Sequence, residues 1–395
     1  MNKTGASPFR TTLVLRWFVG TVLFVMVVYG ALAGVFLIAS HQQDEGAPFS
    51  STNKKQAEEA PYDLSDWTDE ELAAQILIVM NPSRDFAGIG ILASRGVGAI
   101  VLAGNNPPED IGAVIKEAQE MTPRDIKMFF ASDEEGGEIF RMQALLGSFP
   151  SAEEMGTWNP QKISDTTFEY GKKLSELGIN MVIAPAADLE VPETYMTEYK
   201  RAFSADPQTV ARCVVAWQDG MRGAGIVVCP KHWPGMGHAG DTHKATATVP
   251  ALTTLEKEDM VPFRALFSVG VDAVMVGHVS SDGLTEPNTP ATISPQALSY
   301  LRASIDEDTL IVTDTMSMAG VQEAVHLTPE EAMVRSLIAG ADFVMIGASR
   351  TDSSIATIAR AMKDGRLSRA RVERSVYRIL RLKARIGLIP QENEQ

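Results

Sequence analysis

The chain of 395 residues is poor in several residue types that define protein classes. It has only 2 cysteines, Cys213 and Cys229, so a disulfide framework is excluded and no cysteine-rich metal-binding spacing exists. Lys and Arg number 35 against 50 Asp and Glu, and the resulting net charge of -15 argues against a nucleic-acid partner, which requires a basic surface. No Gly-rich phosphate loop is present, which weighs against a nucleotide-binding open sheet. Hydrophobic residues make up 45% of the chain, enough for a large globular core.

Histidine is also scarce, yet three of the 6 histidines fall in one short segment, residues 231–243, with the sequence KHWPGMGHAGDTH. This segment follows the apolar run 226–229, which is typical of a buried strand. Buried or half-buried ionisable groups are costly unless they are paired, and they cluster where function requires shifted pKa values. The segment therefore predicts a functional site, for which the rest of the chain is the scaffold.

A long apolar stretch lies near the N-terminus. Residues 17–39 are apolar, small or aromatic apart from Thr21, which is long enough for a transmembrane helix. Lys3, Arg10 and Arg16 precede it, so residues 1–16 are expected in the cytoplasm and the bulk of the chain outside it. We therefore expect an uncleaved signal anchor in a bacterial membrane, with a polar linker at 40–66 and an extracytoplasmic catalytic domain, periplasmic or at the cell surface.

The rival interpretation of this stretch is a cleaved signal peptide with a small-residue cleavage site at Ala31-Leu32-Ala33. The apolar run continues well beyond that site, which favours the anchor. No cysteine follows the run, so a bacterial lipid anchor attached to cysteine is excluded.

Short apolar runs alternate with amphipathic helical segments through the rest of the chain. Continuous apolar runs of this length are typical of parallel strands that are buried on both faces. The pattern predicts an α/β fold, a (β/α)8 TIM barrel over residues 67–387 with a tail at 388–395; a doubly wound open sheet is the alternative. The eight predicted strands are 75–80, 98–102, 128–132, 181–185, 226–229, 272–277, 310–313 and 342–346.

Polar residues follow these predicted strands, where a barrel enzyme collects its active site. They are Asp133, Asp188, Lys231, His232, His278 and Asp314. A single aspartate at a strand end can equally be the cap of the next helix, but so many positions on one side of a barrel are expected to converge on a pocket.

The residue types indicate possible roles. A carboxylate in a pocket, such as Asp314, can serve as nucleophile or charge stabiliser. Asp241 lies two residues before His243, and a carboxylate that orients an imidazole suits it to general acid/base work near neutral pH; an Asx turn is the structural alternative. Lys231 and Arg141 only donate hydrogen bonds, so they suit the oxygens of a polar ligand. Trp233 is either a sugar-facing wall or part of the core.

Four segments together resemble glycoside hydrolase family 3, in its single-domain β-N-acetylhexosaminidase branch. Residues 231–243 resemble the family's KHFPGxG…DSH signature, and 133–141 its D-x-E-G-G-R-V-x-R segment. Residues 201–207 resemble its R-S-F-x-x-D-P segment, and 313–318 its S-D-D-L-S-M segment. The four segments occur in the family's order and span nearly all of residues 67–387, so the combination is highly specific.

The resemblance implies a retaining glycosidase that removes terminal β-linked N-acetylglucosamine. Asp314 would be the nucleophile, and His243, supported by Asp241, the acid/base. The family's substrate-binding positions correspond to Asp133, Arg141, Arg201, Lys231 and His232. No cofactor or metal is implied, a monomer is expected, and an exported enzyme would meet amino-sugar oligosaccharides from peptidoglycan or chitin.

The sequence departs from the family pattern in the length of its histidine loop, which is slightly shorter than in many members, and at two positions. Glu138 stands where the family usually has arginine, and Thr315 replaces a common second aspartate after the nucleophile. Glu138 would either reduce a positive patch or face solvent. These departures concern the identity of the substrate more than the type of reaction.

Four alternatives stay open at this stage. A histidine acid/base would tolerate phosphate in place of water, giving a β-N-acetylglucosaminide phosphorylase, and a β-glucosidase belongs to the same family. A metal-dependent barrel hydrolase would use ligands such as His232, His238, His243 and Asp241, although the first strand lacks a His-x-His pair. A membrane-tethered glycan-binding barrel without turnover is the alternative outside enzymes.

Overall fold

The computed structural model describes residues 63–81, 86–105, 107–240, 247–318, 321–322, 324 and 326–389. The predicted anchor at 17–39 and nearly all of the predicted linker lie outside these residues. Among the helices that are described, none is both long and apolar enough to cross a membrane.

All eight predicted strands are present and form one parallel sheet. They are β1 (Leu77–Asn81), β2 (Ala99–Leu102), β3 (Phe129–Ser132), β4 (Met181–Val182), β5 (Val227–Val228), β6 (Ala273–Val276), β7 (Leu310–Thr315) and β8 (Phe343–Gly347). Their order in the sheet is β5-β4-β3-β2-β1-β8-β7-β6. The first and last strands in the chain are therefore neighbours, as in a barrel.

The gap between β5 and β6 is bridged by the segment that follows β5. Met275 N donates a hydrogen bond to Pro230 O at 2.9 Å, and Trp233 N donates to Met275 O at 2.8 Å. Gly277 N then donates to Trp233 O at 2.9 Å. The sheet is thus an eight-stranded, nearly closed parallel barrel, consistent with the predicted (β/α)8 architecture.

Burial explains why the strands are continuous apolar runs. Every residue of β2, β3 and β6 is buried, and β1 and β8 each have one partly exposed position. One face of the sheet fills the barrel interior and the other packs against helices, so most side chains on both faces are apolar. Gly98, just before β2, has no room for a side chain because a Cβ would lie 2.1 Å from Gln75 O.

The helices are α1 (Asp69–Gln75), α2 (Phe86–Ser94), α3 (Ile111–Glu120), α4 (Gln143–Leu146), α5 (Ala152–Met155), α6 (Pro160–Glu176), α7 (Tyr195–Glu198), α8 (Pro207–Gly223), α9 (Leu252–Leu255), α10 (Met260–Ser268), α11 (Pro295–Ala303), α12 (Pro329–Ala339), α13 (Thr351–Lys363) and α14 (Arg369–Arg385). Four of them begin with proline after a capping residue: Asn159, Asp206, Ser294 and Thr328. Proline suits the first helical position because its missing N–H would have no partner there. α1 begins with a capping box formed by Thr68 and Glu71.

One predicted helix is wrong. The sequence predicts a single helix over 255–269, but α9 ends at Leu255 and α10 begins at Met260. Pro262 explains the interruption, since proline has no N–H for Glu258 O and its ring clashes with that carbonyl in a continuous helix. Asp259 consequently lies at the start of a new helix.

Two small sheets were not predicted from the sequence. Glu134–Gly136 pairs with Ile139–Phe140 as an antiparallel hairpin directly after β3. Ala247–Thr248 pairs with Val279–Ser280, a short extension after β6. Both lie at the carboxyl end of the barrel, so they add to the surroundings of the pocket.

Candidate active site

A cavity of about 230 Å³ opens at the carboxyl ends of the barrel strands. Six of the residues predicted for catalysis or substrate binding line it: Asp133, Arg141, Arg201, Lys231, His232 and Asp314. The fold thus brings together residues that are up to 181 positions apart in the chain, because the segments that carry them all lie at the carboxyl end of the barrel.

The hairpin after β3 supplies one wall of the cavity. Gly136 and Gly137 both have positive φ, 93° and 63°, which the tight turn requires. The turn reverses the chain so that Asp133, Glu135 and Arg141 all line the cavity. The Gly-Gly pair is the sequence signal for this hairpin.

A network of charged side chains crosses the cavity wall. Lys231 Nζ lies 2.7 Å from Asp133 Oδ1 and 2.6 Å from Glu135 Oε1. Arg201 donates to Glu135 through two parallel hydrogen bonds, from Nε at 2.7 Å and from Nη2 at 2.8 Å. Bidentate guanidinium–carboxylate pairs of this kind fix both partners in orientation. Arg201, Glu135 and Lys231 are therefore a preformed unit.

The network shifts the pKa values of its members. Burial alone would raise the pKa of Glu135, but Arg201 and Lys231 hold it far below its usual value. Burial would lower the pKa of Lys231, but Asp133 and Glu135 raise it above its usual value. Glu135 and Lys231 are therefore both charged at neutral pH. Three cations and three carboxylates line the cavity, so its described lining is close to neutral.

Arg141 has unused hydrogen-bonding capacity. Its Nη1 donates to Asn105 Oδ1 at 2.5 Å, and its Nη2 lies 3.9 Å from Asp133 Oδ2. Its Nε is buried and has no hydrogen-bond partner among the described residues. A buried unpaired donor is costly, so this N–H is available to a ligand oxygen.

His232 is held by a carboxylate behind it. Its Nδ1 lies 2.7 Å from Asp188 Oδ2, and Asp188 Oδ1 accepts hydrogen bonds from the backbone N–H of His232 at 3.3 Å and of Met236 at 2.6 Å. Asp188 is fully buried. It therefore fixes the ring of His232, which leaves Nε2 for the cavity.

Asp314 lies within β7 rather than after it, because the strand extends to Thr315. The backbone N–H of Thr315 donates to Asp314 Oδ1 at 2.7 Å. Burial would raise the pKa of the Asp314 carboxyl, but His278, His232 and this hydrogen bond lower it below its usual value. Asp314 is therefore ionised at neutral pH, as a nucleophile requires.

His278, which follows β6, supports the backbone next to Asp314. Its Nε2 lies 2.9 Å from Thr315 O, and a carbonyl only accepts, so Nε2 carries the proton. Its Nδ1 lies 2.9 Å from the hydroxyl of Thr292. His278 is not among the residues that line the cavity, so it acts behind Asp314.

Glu134 points away from the cavity, although it lies between two cavity residues in the chain. It accepts hydrogen bonds from Ser132 Oγ at 2.5 Å, Tyr170 OH at 2.8 Å and Arg141 N at 3.1 Å. Burial raises its pKa to about 7 despite these donors. Glu134 therefore anchors the hairpin to α6.

Asp241 and His243 lie outside the described residues. The described chain that leads to them passes the cavity, because Ala239 and Gly240 line it. The acid/base assignment consequently stays a prediction.

The structure decides two questions that the sequence left open. Trp233 is 1% exposed and belongs to the core, so it is not a sugar-facing wall. Glu138 is exposed and does not line the cavity, whereas Thr315 does.

Several residues that line the cavity were not predicted from the sequence. Glu135 is the most important of them; the hairpin that carries it was not predicted, and no local pattern separates Glu135 from Glu134. Tyr195 and Met196 also line the cavity, from the start of α7, and no pattern in the sequence marks them. Together, fold and pocket define a barrel enzyme with a small polar pocket.

Comparison with known proteins identifies the family. Residues 68–382 match the glycosyl hydrolase family 3 N terminal domain. The chain is 33% identical over 261 residues to the beta-hexosaminidase LpqI of Mycobacterium tuberculosis, covering 64% of this chain and 66% of that protein. A beta-hexosaminidase of Xylella fastidiosa is 32% identical over 223 residues, covering 54% of this chain and 64% of that protein. The alignments thus span just under two thirds of these relatives.

Solved structures agree with this result. A family 3 glycosyl hydrolase from Mycobacterium smegmatis superposes with a TM-score of 0.74 at 28% identity, covering 81% of this chain and 98% of that one. The structure of M. tuberculosis LpqI gives a TM-score of 0.74 at 30% identity, covering 80% and 93%. The chain belongs to glycosyl hydrolase family 3.

Proposed function

We propose that this protein is a retaining β-N-acetylglucosaminidase that removes terminal β-linked N-acetylglucosamine from oligosaccharides. The observation that carries the proposal is the position of Asp314 in a cavity that is also lined by Asp133, Arg141, Arg201, Lys231 and His232. Relatives named beta-hexosaminidase and a Paenibacillus structure titled as a family 3 beta-N-acetylglucosaminidase, with a TM-score of 0.75 at 26% identity and covering 81% of this chain and 62% of that one, support the substrate class.

In the first step, a carboxylate oxygen of Asp314 attacks the anomeric carbon of the sugar. The bond between that carbon and the glycosidic oxygen breaks, and the leaving oxygen takes a proton from His243. The product is a covalent glycosyl-enzyme ester and a released alcohol. Asp241 stabilises the protonated ring of His243 before the transfer.

In the second step, water attacks the same carbon and His243 takes one of its protons. The bond to Asp314 breaks, the carboxylate is restored, and the sugar leaves with its original anomeric configuration. Two inversions give net retention, and His243 ends protonated and ready for the next turnover.

The cavity suits one uncharged sugar unit. Its volume of about 230 Å³ is smaller than the roughly 300–1,000 Å³ of pockets that hold drug-sized ligands, so a monosaccharide unit fits better than a longer chain. Lys231 and Arg141 point donors at hydroxyl or carbonyl oxygens, while the near balance of cations and carboxylates favours no net charge on the ligand.

The test measures release of p-nitrophenol from its β-N-acetylglucosaminide by the full-length chain in phosphate-free buffer. We expect turnover by the wild type and loss on the order of 10⁴-fold in kcat for Asp314→Ala. His243→Ala should lose about 10²- to 10⁴-fold. Glu138→Gln, at an exposed position outside the cavity, is the control and should keep full activity.

A trapping experiment identifies the nucleophile independently. A 5-fluoro N-acetylglucosaminyl fluoride should add one sugar mass to the wild type and none to Asp314→Ala, with the mass on the peptide that contains Asp314. Attachment elsewhere would contradict the assignment. Turnover that depends on added phosphate would indicate a phosphorylase, and no turnover on this or the β-glucoside, with or without phosphate, would favour a glycan-binding barrel.

We also propose that residues 17–39 anchor the protein in the membrane with the barrel outside the cytoplasm, where peptidoglycan- or chitin-type fragments are found. Lys3, Arg10 and Arg16 before the apolar run support this orientation. Protease added to intact spheroplasts should cleave the barrel but not an N-terminal epitope. Complete protection of the barrel would contradict the orientation.

A further inference from the structure

A second cluster of ionisable side chains lies beside the active-site cavity but does not line it. It consists of His238, Glu258 and Asp259, whose nitrogen and oxygen donor atoms all lie within 4.8 Å of one another. His238 comes from the segment after β5, and the two carboxylates come from the start of α10. None of the three belongs to the cavity lining, so the cluster is a separate feature.

Asp259 is the unusual member of this cluster. It is 1% exposed, and neither of its carboxylate oxygens has a hydrogen-bond partner among the described residues. A buried carboxylate without donors is costly to hold. Burial raises its pKa to about 6, while the His238 ring acts in the opposite direction. The buried carboxylate of Asp259 therefore lacks the hydrogen-bond donors that would offset its loss of hydration.

The distances in the cluster suit a shared metal ion better than direct pairing. His238 Nε2 and Asp259 Oδ2 are 3.8 Å apart, too far for a hydrogen bond. Two ligand atoms that each lie about 2.0–2.2 Å from one zinc ion in tetrahedral geometry are roughly 3.3–3.6 Å apart, so a small movement of the exposed His238 side chain would bring both atoms onto the ion. Glu258 is exposed, and so is His238, so an ion has an open path to the buried carboxylate.

The backbone around the cluster is closely packed. Gly235, three residues before His238, has φ of 129°, and a Cβ there would lie 2.5 Å from Asp259 Cβ. The segment that carries His238 is therefore held directly against the start of α10. The distance between the histidine and the carboxylates is consequently a property of the packed fold.

We propose that His238, Glu258 and Asp259 form a binding site for a divalent cation of the zinc type. One imidazole and two carboxylates are a donor set that zinc accepts, with water completing the coordination. The imidazole argues against calcium and magnesium, which prefer oxygen ligands. The ion would join the segment after β5 to α10 and would neutralise the unpaired Asp259.

The test is direct zinc binding by the full-length chain after treatment with chelator and dialysis. Isothermal titration with zinc chloride should show one site per chain, and zinc should raise the melting temperature. Magnesium chloride at the same concentration should do neither. Absence of zinc binding to the wild type would overturn the proposal.

Variants show where zinc binds. His238→Ala and Asp259→Asn should weaken zinc affinity by about 100-fold or more, because each removes a ligand. His326→Ala, at another exposed histidine, is the matched control and should bind like the wild type. Since His238 is exposed, its variant is expected to fold, and circular dichroism checks this.

One further variant separates this site from the predicted acid/base pair. His243→Ala should retain zinc binding if His238, Glu258 and Asp259 hold the ion. Binding that is lost in His243→Ala but kept in His238→Ala would overturn the proposal in favour of Asp241 and His243. The outcome does not depend on glycosidase activity.

Discussion

The two ends of the barrel each bury a lysine, and the two lysines have opposite surroundings. Lys231, at the carboxyl end, lies within 2.7 Å of both Asp133 and Glu135, which raise its pKa. Lys383, on α14 at the amino end, donates to Gln75 Oε1 at 3.0 Å, and no carboxylate among the described residues pairs with it. Burial lowers the pKa of Lys383 to about 7.

The amino end also contains a network of charges that is fully satisfied. Asp342, just before β8, accepts from Arg378 at 2.9 Å, from Ser375 at 2.8 Å and from the backbone N–H of Ile311 at 3.2 Å, and it also pairs with Arg302. Burial would raise the pKa of Asp342, but these arginines lower it. The described cavity of the active site lies at the other end of the barrel.

The contrast between the two ends of the barrel separates charged residues that serve the active site from charged residues that stabilise the fold. Charges at the carboxyl end line a cavity and leave donors such as Arg141 Nε unpaired, so they are available to a ligand. Charges at the amino end use their hydrogen bonds within the protein, so they serve the fold. Substitutions at the two ends should therefore separate activity from stability.

The largest combined effect on stability and activity is expected for Lys231→Met. It leaves Asp133 and Glu135 without their ammonium partner and removes a donor from the cavity. The free energy of unfolding should fall by about 3 kcal/mol and kcat/KM by about 100-fold or more. Urea unfolding and p-nitrophenol release measure the two effects. Unchanged kcat/KM would show that Lys231 does not serve the substrate.

Asp342→Ala should affect stability alone. Removing one partner from a buried charge network costs about 3–5 kcal/mol, because Arg378 and Arg302 lose their counterion. The activity of the folded protein should stay within about twofold of wild type at low temperature. The control is Asp308→Ala, which removes an exposed partner of Arg381 and should change stability by less than about 1 kcal/mol.

Lowering the pH should reduce the contribution of Asp342 to the free energy of unfolding. Its pKa in the folded state lies below the unfolded value of 3.8, so the stability that it contributes is present above that value. It is lost as the pH falls through the folded pKa. The difference between wild type and Asp342→Ala should therefore shrink below about pH 4. A difference that grows with acid would contradict the assigned direction.

Arg201→Lys should have a moderate effect at the carboxyl end. Lysine keeps the charge but cannot reproduce the two parallel hydrogen bonds to Glu135. We expect kcat/KM to fall about tenfold. The exposed Arg212 provides the matched control, since Arg212→Lys should change neither activity nor stability.

The smallest effect is expected for Lys383→Met. Because the folded pKa of about 7 is below the unfolded value of 10.5, the unfolded chain binds more protons between these values. The free energy of unfolding of the wild type should accordingly rise as the pH increases from 7 to 10, because buried Lys383 loses its charge in this range. Lys383→Met should be more stable than wild type by about 1 kcal/mol at pH 7, and this advantage should shrink by pH 9.5.

Urea unfolding at the two pH values tests this prediction for Lys383. The exposed Lys363→Met is the control and should show no such dependence on pH. A loss of stability in Lys383→Met at pH 7 would mean that the bond to Gln75 and the contact with the Phe129 ring, at 5.6 Å, outweigh the cost of burial.

Much of the fold could be predicted from local patterns. All eight strands were predicted because a strand buried on both faces must be a continuous apolar run. Helix starts were visible as a capping residue followed by proline, as at Asp206 and Thr328. The break between α9 and α10 could also have been predicted, because Pro262 lies where a continuous helix needs an N–H.

The site was predictable where a residue type followed a strand. Asp133, Lys231, His232 and Asp314 all follow or end strands, and all line one cavity. Glu135 was missed because neighbouring residues in a hairpin point to opposite sides, and no local pattern distinguishes Glu134 from Glu135. Only the packing against Tyr170 on one side and Arg201 on the other separates them.

The sequence alone determined the barrel, the end at which polar residues collect and the family, since these depend on apolar periodicity and motifs along the chain. Only the tertiary structure decided the electrostatics. Lys231 and Lys383 are both lysines, but their pKa values shift in opposite directions. Carboxylates from distant parts of the chain lie beside Lys231, whereas none among the described residues pairs with Lys383. The absence of hydrogen-bond donors around Asp259 is likewise visible only once α10 packs against the segment after β5, because pairing and desolvation depend on residues brought together through space.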